Sequence, residues 1–216
     1  MRYDHIAWDF NGTILDDVHS GVEATNILLR RRALPTIDSL DYYYSIFSFP
    51  IEKYYERLGF DFSRESYADI ALEWVAEYRR LSAAAPAREG VIALMAAFAA
   101  KGIPQTVLSA SEESLLLEQL CALGVRSYLE GVHGRSDHSG EDKTALVLSF
   151  RDRRKPGRTL FIGDTDHDAA CARAAGFDCV LIAGGHQSRA RLQACAVSVY
   201  DDIASLHRAL REAGDL

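Results

Sequence analysis

Three carboxylates and one lysine are the residues of this chain best suited to chemistry on an anion. Asp9 follows a short apolar run, and Asp164 and Asp168 lie four positions apart near a second apolar run. Carboxylate oxygens are the ligands that Mg²⁺ prefers, and three such charges together are unfavourable without a divalent cation. Lys143 adds a positive charge and Ser109 a hydroxyl donor, both suited to a tetra-oxygen anion. These residue types predict a cation-assisted anion site.

Short apolar runs that alternate with helical patterns are the elements that must position these side chains. They predict strands at residues 4–9, 104–109, 159–164 and 179–184, with a fifth at 127–134. This alternation predicts an α/β fold with a parallel sheet covered by helices. Ligands of such sheets bind beyond the carboxyl ends of the strands, where Asp9, Ser109 and Asp164 stand. Lys143 is predicted to open a helix after the glycine-bearing loop 134–143.

About seventy residues of helical pattern separate the first strand from the helix that precedes the second strand, too many for a simple crossover. They predict an inserted helical cap domain at 16–83, with residues 1–15 and 84–216 forming the core and a return hinge near 83–86. Helices are expected at 50–59, 88–102 and 168–176, and a further one, with Ser63 as N-cap, contains Tyr67, Ile70, Ala71, Trp74, Val75, Tyr78 and Leu81.

Composition excludes several classes of partner. The formal charge of -7 disfavours attraction to nucleic acid or to an anionic membrane, and no apolar run is long enough to cross a bilayer. We therefore expect a soluble cytoplasmic protein, either a monomer or a homodimer, that binds neither nucleic acid nor a membrane. The four cysteines stand singly in apolar surroundings, and we expect them to be reduced core thiols: Cys121, Cys171, Cys179 and Cys195.

Four motifs in this order resemble the haloacid dehalogenase superfamily, whose members are mostly Mg²⁺-dependent phosphatases. The motifs are 9-DFNGT-13, 107-VLSAS-111, Lys143 and 163-GDTDHD-168. The predicted cap lies where the phosphoglycolate phosphatase-like subgroup carries its helical, C1-type cap. The resemblance covers essentially the whole chain and implies a Rossmann-like core.

The resemblance also implies roles for individual residues. Asp9 would attack phosphorus and become an aspartyl phosphate. Mg²⁺ would be held by Asp9, the backbone carbonyl of Asn11 and Asp164, with Asp168 nearby or bound through water. The implied catalytic residues are Asp9, Asn11, Ser109 and Lys143, and the implied phosphate-binding residues are Gly12, Thr13, Ser109, Ala110 and Lys143. The expected substrate is a small phosphate monoester, such as phosphoglycolate.

Asn11 departs from the family pattern. Family phosphatases carry there a second acidic residue that protonates the leaving oxygen and then activates water, and a neutral amide can do neither. Losing a positioned acid/base typically lowers the rate by a factor of about 100 to 10,000, or roughly 3 to 5 kcal/mol of barrier. The loss is greatest for poor leaving groups. Candidates to supply the proton instead are Asp16, Asp17, His167 and His186.

Three alternatives follow from Asn11. The chain can be an active phosphatase in which another group supplies the proton. It can resemble phosphonoacetaldehyde hydrolases, which lack the same carboxylate and use a cap lysine, here Lys53, although that family has arginine where Lys143 stands. It can also be a catalytically weak or inactive phosphate-binding or regulatory protein. Candidates for substrate contact are Arg30–Arg32, Tyr42–Tyr44, Lys53, Arg57, His186 and Gln187.

Overall fold

The computed structural model describes residues 2–135 and 143–216. Within these residues, parallel strands form one six-stranded sheet with the order β3-β2-β1-β4-β5-β6. The strands are β1 His5–Trp8, β2 Gln105–Glu112, β3 Gly131–Arg135, β4 Thr159–Gly163, β5 Asp178–Ile182 and β6 Ser198–Tyr200. The predicted α/β fold with a parallel sheet is confirmed, and β6 is an additional edge strand that the apolar runs did not predict.

Helices cover the sheet and fill the connection after β1. They are α1 Val18–Arg31, α2 Leu40–Ile46, α3 Ile51–Arg57, α4 Tyr67–Ser82, α5 Val91–Ala100, α6 Glu113–Ala122, α7 Thr144–Arg154, α8 Asp166–Ala175, α9 Arg189–Gln193 and α10 Ile203–Glu212. The predicted glycine stop after α8 is present, because Gly176 adopts the left-handed conformation at φ 73°. Within the described parts of the chain, no helix is both long and apolar enough to span a bilayer.

The two central strands are buried on both faces, as a sheet covered by helices requires. On one face Trp8 packs edge-on against Phe98 of α5. On the other face Phe161 packs in a cluster with Phe150 of α7 and Ala172 of α8. This double cover explains why β1 and β4 are almost continuously apolar. It also fixes the carboxyl ends of both strands at one rigid edge.

The segment Val18–Ser82, which we call the helical insertion, has an apolar cluster of its own. Leu28 and Leu29 of α1, Tyr54 of α3 and Ile70 of α4 are fully or almost fully buried in it. The two connections to the sheet run side by side, since the amide of Asp16 donates to the carbonyl of Pro86 at 2.9 Å. The exact boundaries of the predicted cap and core domains remain a prediction.

Several local expectations were wrong. Ser66, not Ser63, caps α4 and accepts from the amide of Asp69, because the Ser63 hydroxyl is used in a turn with Asp61. β2 continues past Ser109 to Glu112, although its register with β3 shifts after Leu108. β3 begins only at Gly131, because residues 126–128 form a 3-10 turn.

No disulfide joins the cysteines in the described part of the chain, but they are not all core thiols as expected. Cys171 is buried, Cys179 and Cys195 are half-buried, and Cys121 is exposed on α6. The core prediction for Cys121 was therefore wrong. Its apolar neighbours Leu116 and Leu120 lie on the buried face of the helix, and Cys121 points away from that face.

Candidate active site

The predicted carboxylates meet at the carboxyl ends of β1 and β4. One ligand oxygen from each of Asp9, Asp164 and Asp168 lies within 4.8 Å of the others, and all three residues are buried. The Nζ atom of Lys143, just before α7, lies 2.6 Å from Oδ1 of Asp9 and also pairs with Asp168. The backbone amide of Asp9 donates to the carbonyl of Ile162 in β4 at 2.8 Å, which fixes the two strand ends together.

The charges of this cluster do not balance. Burial, opposed by the Lys143 ammonium, raises the pKa of Asp9 well above its usual range, and the Asp168 and Asp164 carboxylates raise it further. Burial also raises the pKa of Asp164. Three carboxylates and one ammonium carry two net negative charges when all are ionised. A divalent cation neutralises that excess, and the donors are the hard oxygens that Mg²⁺ prefers, so these residues fit the predicted metal.

Asp164 is held in a narrow space. Its Oδ1 atom accepts from the hydroxyl of Thr13 at 2.9 Å, and its Oδ2 atom accepts from the amide of His186 at 2.6 Å. A Cβ atom at Gly12 or at Gly185 would collide with this carboxylate, and Gly12 also has a φ of +71°. Both positions therefore require glycine, which lets two backbone segments approach Asp164 closely.

Asp168 has less freedom to bind a metal than the other two carboxylates. Its Oδ2 atom accepts from the amides of Asp164 and Thr165 and from the Thr165 hydroxyl, which in turn accepts from the Asp168 amide. This capping box holds the start of α8. Its Oδ1 atom pairs with Lys143. Asp168 thus positions the lysine and the helix, and its predicted place at or beside a metal stays a prediction.

The side chain of Asn11 is bound by three neighbours. Its Nδ2 atom donates to Oδ2 of Asp17 at 2.8 Å and lies 2.6 Å from the Tyr78 hydroxyl, and its Oδ1 atom accepts from the Ser111 hydroxyl at 2.6 Å. Tyr78 donates to the same Asp17 oxygen at 2.7 Å. A carboxylate at position 11 would lie against the Asp17 carboxylate, so the amide suits this environment.

His186 forms the second charged pair of the site. Its Nε2 atom lies 3.5 Å from Oδ1 of Asp17, and its Nδ1 atom is 2.7 Å from the Tyr43 hydroxyl. Burial alone would lower the pKa of His186, but the carboxylates of Asp17, Asp164 and Asp9 raise it to about 9. Burial alone would raise the pKa of Asp17, and contacts from His186, Tyr78 and Asn11 keep it below its usual range. The surrounding carboxylates therefore favour the cationic form of His186.

A cavity of about 240 Å³ joins the strand ends to the helical insertion. Its polar end contains Asp9, Asn11, Lys143 and Asp164, and its remaining wall is mostly apolar. Aromatic side chains of the insertion line that wall: Tyr43, Phe47, Phe49, Tyr54, Tyr55, Tyr67, Trp74 and Tyr78. The carboxylate cluster thus opens into a partly enclosed space lined by the insertion.

The family model for haloacid dehalogenase-like hydrolases matches residues 6–182, most of the chain. The chain belongs to this family. Its sheet order and its carboxylate cluster at the strand ends therefore belong to a haloacid dehalogenase-like hydrolase, as the motifs indicated. No curated protein matches the chain.

Solved structures share the fold of this haloacid dehalogenase-like hydrolase across nearly the whole chain. A predicted phosphatase from Clostridium acetobutylicum is 16% identical with a TM-score of 0.79, covering 98% of this chain and 100% of its own. Protein Tyrosine Kinase A of Mycobacterium tuberculosis is 22% identical with a TM-score of 0.80, covering 97% and 98%. CbbY from Rhodobacter sphaeroides, in complex with phosphate, is 17% identical with a TM-score of 0.71, covering 94% and 96%. At these identities the likeness shows the fold alone.

Other predicted site residues of this hydrolase lie close to the cluster but differ in access. Ser109 is almost fully buried, and its hydroxyl accepts from the amide of Ser111 at 3.0 Å, while Ala110 is exposed at the cavity. The hydroxyl of Thr13 is buried and donates to Asp164. Gly12 donates its amide to Asp17 at 2.7 Å. Phosphate contact by these residues stays a prediction, and residues 136–142 of the predicted loop lie outside the described part of the chain.

Several candidate residues lie away from the cavity. Lys53 is exposed and pairs with Glu56, Arg57 binds the Ile46 carbonyl and Ser48, and Asp16 is exposed. The three arginines at the end of α1 pair with glutamates: Arg30 with Glu23, Arg31 with Glu73 and Glu77, and Arg32 with Glu65 and Glu73. Gln187 binds the amide of Asp166 and so supports the start of α8.

Sequence patterns missed two residues that act at the site. Tyr78 was assigned to the apolar face of a helix, yet its hydroxyl binds Asp17 and Asn11. Ser111 was named only as the end of a motif, yet it donates to Asn11. The sequence could have indicated the role of Tyr78, because a tyrosine on an apolar helix face is buried and its hydroxyl usually finds a polar partner.

Proposed function

We propose that this chain is a Mg²⁺-dependent phosphatase that hydrolyses a small phosphorylated metabolite through an aspartyl-phosphate intermediate. One observation carries this function: the buried carboxylates of Asp9, Asp164 and Asp168 converge with Lys143 at the end of a partly enclosed cavity. The cluster has a nucleophile, donors for a hard cation and a fixed positive charge for a phosphoryl group.

In the first step a carboxylate oxygen of Asp9 attacks phosphorus. The new bond joins Asp9 to the phosphoryl group, and the bond between phosphorus and the ester oxygen breaks, so the leaving oxygen takes the electron pair. In the second step water attacks phosphorus, releases inorganic phosphate and restores the Asp9 carboxylate. Lys143, 2.6 Å from Oδ1 of Asp9, orients the nucleophile and offsets the charge of the phosphoryl oxygens.

Asp9, Asp164 and the backbone carbonyl of Asn11 would hold Mg²⁺, with Asp168 close behind them. When bound, the cation would withdraw electron density from the phosphoryl group. It would also neutralise the carboxylates, which otherwise repel the negatively charged phosphoryl oxygens. Thr13 and His186 fix the Asp164 carboxylate from opposite oxygens. The chain thus supplies a preformed set of oxygen ligands on rigid strand ends.

The leaving oxygen needs a different proton source from that of the family, because Asn11 cannot donate one. Of the four candidates, Asp17, His167 and His186 line the cavity, and Asp16 is exposed. Asp17 is already paired with His186 and bound by Asn11 and Tyr78. We therefore expect leaving groups that need little protonation to be the best substrates.

Neither alternative function gains support from the arrangement of the site. A Schiff-base hydrolase of the predicted kind would need a lysine of the insertion inside the cavity, and Lys53 is exposed and paired with Glu56. A protein that only binds phosphate would not need Asp9 buried beside Lys143 at the carboxyl end of β1. Borohydride trapping with an aldehyde substrate should accordingly leave Lys53 unmodified.

The deciding experiment measures the release of inorganic phosphate from small phosphate monoesters. It compares the wild type with Asp9→Asn, each with and without Mg²⁺. We expect release only by the wild type with Mg²⁺, and a phosphate adduct on the peptide that contains Asp9. Asp201→Asn, whose side chain is exposed and pairs with Arg189, is the matched control and should retain activity. Equal background rates for the wild type and Asp9→Asn would instead indicate a phosphate-binding protein.

A further inference from the structure

The cavity beside the carboxylate cluster indicates the chemical class of the substrate. We infer that the organic part of the substrate is an aromatic ring, so that the natural substrate is an aryl phosphate monoester. This inference rests on the proposed phosphatase function and adds the identity of the group that the helical insertion binds.

The wall opposite the carboxylates is built from aromatic side chains of the insertion. Phe47, Tyr54, Tyr55 and Trp74 all face the same cavity as Asp9. Aromatic rings pack against one another in offset-stacked or edge-to-face arrangements, which a flat aromatic ligand can join. The lining rings already pack in this way, since Phe47 lies edge-on to Tyr54 with centroids 5.3 Å apart. A ring bound here would extend an existing aromatic cluster.

Two hydroxyls of the wall bind residues at the catalytic end, and the indole nitrogen of Trp74 binds within the insertion. The Tyr43 hydroxyl binds His186, the Tyr78 hydroxyl binds Asp17, and the indole nitrogen of Trp74 donates to the Thr25 hydroxyl at 3.1 Å. Their rings are thereby held in place beside the cluster. The groups left to face the ligand are chiefly ring carbons, which favour an apolar ligand over a hydroxylated one.

Cationic groups of the described cavity wall are also already paired. Lys143 binds Asp9 and Asp168, and His186 pairs with Asp17. The ring of His167 is stacked on that of Phe49, with centroids 4.6 Å apart. The carboxylate of phosphoglycolate, or a second phosphate, would therefore lie against an apolar wall. Burying such a charge without a partner is strongly unfavourable. The phosphoglycolate expectation thus fits this cavity less well than an aryl phosphate does.

The size of the cavity agrees with one ring. Apolar cavities of about 150 Å³ accept benzene, and this cavity has a volume of about 240 Å³. It can hold a single ring with a small substituent beside the phosphoryl group. The lack of a general acid at position 11 independently favours aryl phosphates. Without protonation, a phenol is a better leaving group than an aliphatic alcohol.

A series of substrates at constant leaving-group acidity tests the inference. Phenyl, 4-methylphenyl and 4-ethylphenyl phosphate release phenols of similar acidity but differ by one methylene each. Burying a methylene contributes about 0.8 kcal/mol, so kcat/KM should rise by about two- to four-fold at each step. A flat or falling series would overturn the inference, because a ring outside the cavity gains nothing from added carbon.

Two leucine substitutions on α4 show whether the cavity is responsible. Ala71 lines the cavity, whereas Ala76 is exposed on the same helix. Ala71→Leu should lower the ratio of kcat/KM for 4-ethylphenyl phosphate to that for acetyl phosphate at least ten-fold, and Ala76→Leu should leave the ratio at the wild-type value. An unchanged ratio in Ala71→Leu would count against the inference. Tyr55→Ala should lower the same ratio, which provides a second variant if Ala71→Leu does not fold.

A binding measurement keeps the inference separate from the proposed function. Trp74 lines the cavity and Trp8 is fully buried in the core, so a ring that enters the cavity should change the fluorescence of Trp74. In Asp9→Asn with Mg²⁺, phenylphosphonate should change the fluorescence and methylphosphonate should bind at least ten-fold more weakly. Rapid hydrolysis of acetyl phosphate with equal binding of both phosphonates would overturn the inference alone. No hydrolysis of any substrate, with preferential phenylphosphonate binding, would overturn the phosphatase function and reduce the inference to an aromatic binding site.

Discussion

The side-chain amide of Asn11 donates to the carboxylate of Asp17 at 2.8 Å. The residue that departs from the family pattern is thus paired with a carboxylate six positions later in the chain. Asp17 also accepts from the Gly12 amide and from Tyr78, so its negative charge is embedded in the loop that follows β1. The site keeps a carboxylate near position 11 while presenting an amide at position 11 itself.

Substitutions that exchange the amide of Asn11 and the carboxylate of Asp17 test the hydrogen bond between these two side chains. Asn11→Asp replaces a donor with a second carboxylate and should lower stability by about 1–3 kcal/mol, the usual effect of leaving a buried polar group unpaired. Thermal unfolding without divalent cations measures the loss as a fall in Tm of several degrees. The double variant Asn11→Asp/Asp17→Asn should recover much of it. A single variant as stable as the wild type would show that the contact is not formed.

Leaving-group acidity should dominate the rate. Without a proton donor at position 11, kcat/KM for substituted phenyl phosphates of similar size should fall steeply as the phenol becomes less acidic. The full effect of a missing general acid is a factor of about 100 to 10,000. The double variant Asn11→Asp/Asp17→Asn should give a shallower dependence. A shallow dependence in the wild type would mean that another residue protonates the leaving oxygen fully.

Mg²⁺ should stabilise the folded protein. A cation that binds only the folded state adds about 2.7 kcal/mol at a concentration 100 times its Kd, which raises Tm by about 5–10 °C in a chain of this size. Asp164→Asn should abolish the rise, since it removes a buried ligand oxygen. Asp201→Asn, on an exposed side chain, should show the wild-type rise. Identical Tm values of the wild type with Mg²⁺ and with a chelator would contradict the assigned metal site.

Stability should fall between about pH 6.5 and pH 9. The pKa of His186 is about 9 in the folded protein against 6.5 ordinarily, so the folded state binds the proton more tightly. That stabilisation is complete below pH 6.5 and is lost as the pH rises through 9. Its size is on the order of 3 kcal/mol at most.

His186→Gln should be less stable at pH 6 and should lose this part of the pH dependence. His19→Gln, on an exposed position of α1, should follow the wild type. The measurement is urea unfolding at several pH values with a chelator present, because a bound cation weakens the carboxylate field on His186. Parallel profiles for the wild type and His186→Gln would show that the His186–Asp17 pair contributes no pH-dependent stability.

The cluster of Asp9, Asp164 and Lys143 was predictable from the sequence. Short apolar runs identified parallel strands, and the carboxyl ends of such strands meet at one edge, so residues that end different strands must come together. The same pattern predicted that the chain after β1 was too long for a crossover. The resemblance of the motif 9-DFNGT-13 to the family pattern, and not the apolar runs, identified Asn11 as a departure.

Only the tertiary structure decided what surrounds that cluster. Helical periodicity places Tyr78 on a buried face of α4, but it does not say that this face meets Asp17, 61 positions earlier. Nor does it place Tyr43 beside His186, 143 positions later. Apolar patterns depend on neighbours along one helix, whereas contacts between distant segments depend on how whole elements pack. The sequence therefore determined the chemistry at the strand ends, and packing of the insertion over them decided the charge pair, the role of Asn11 and the aromatic cavity.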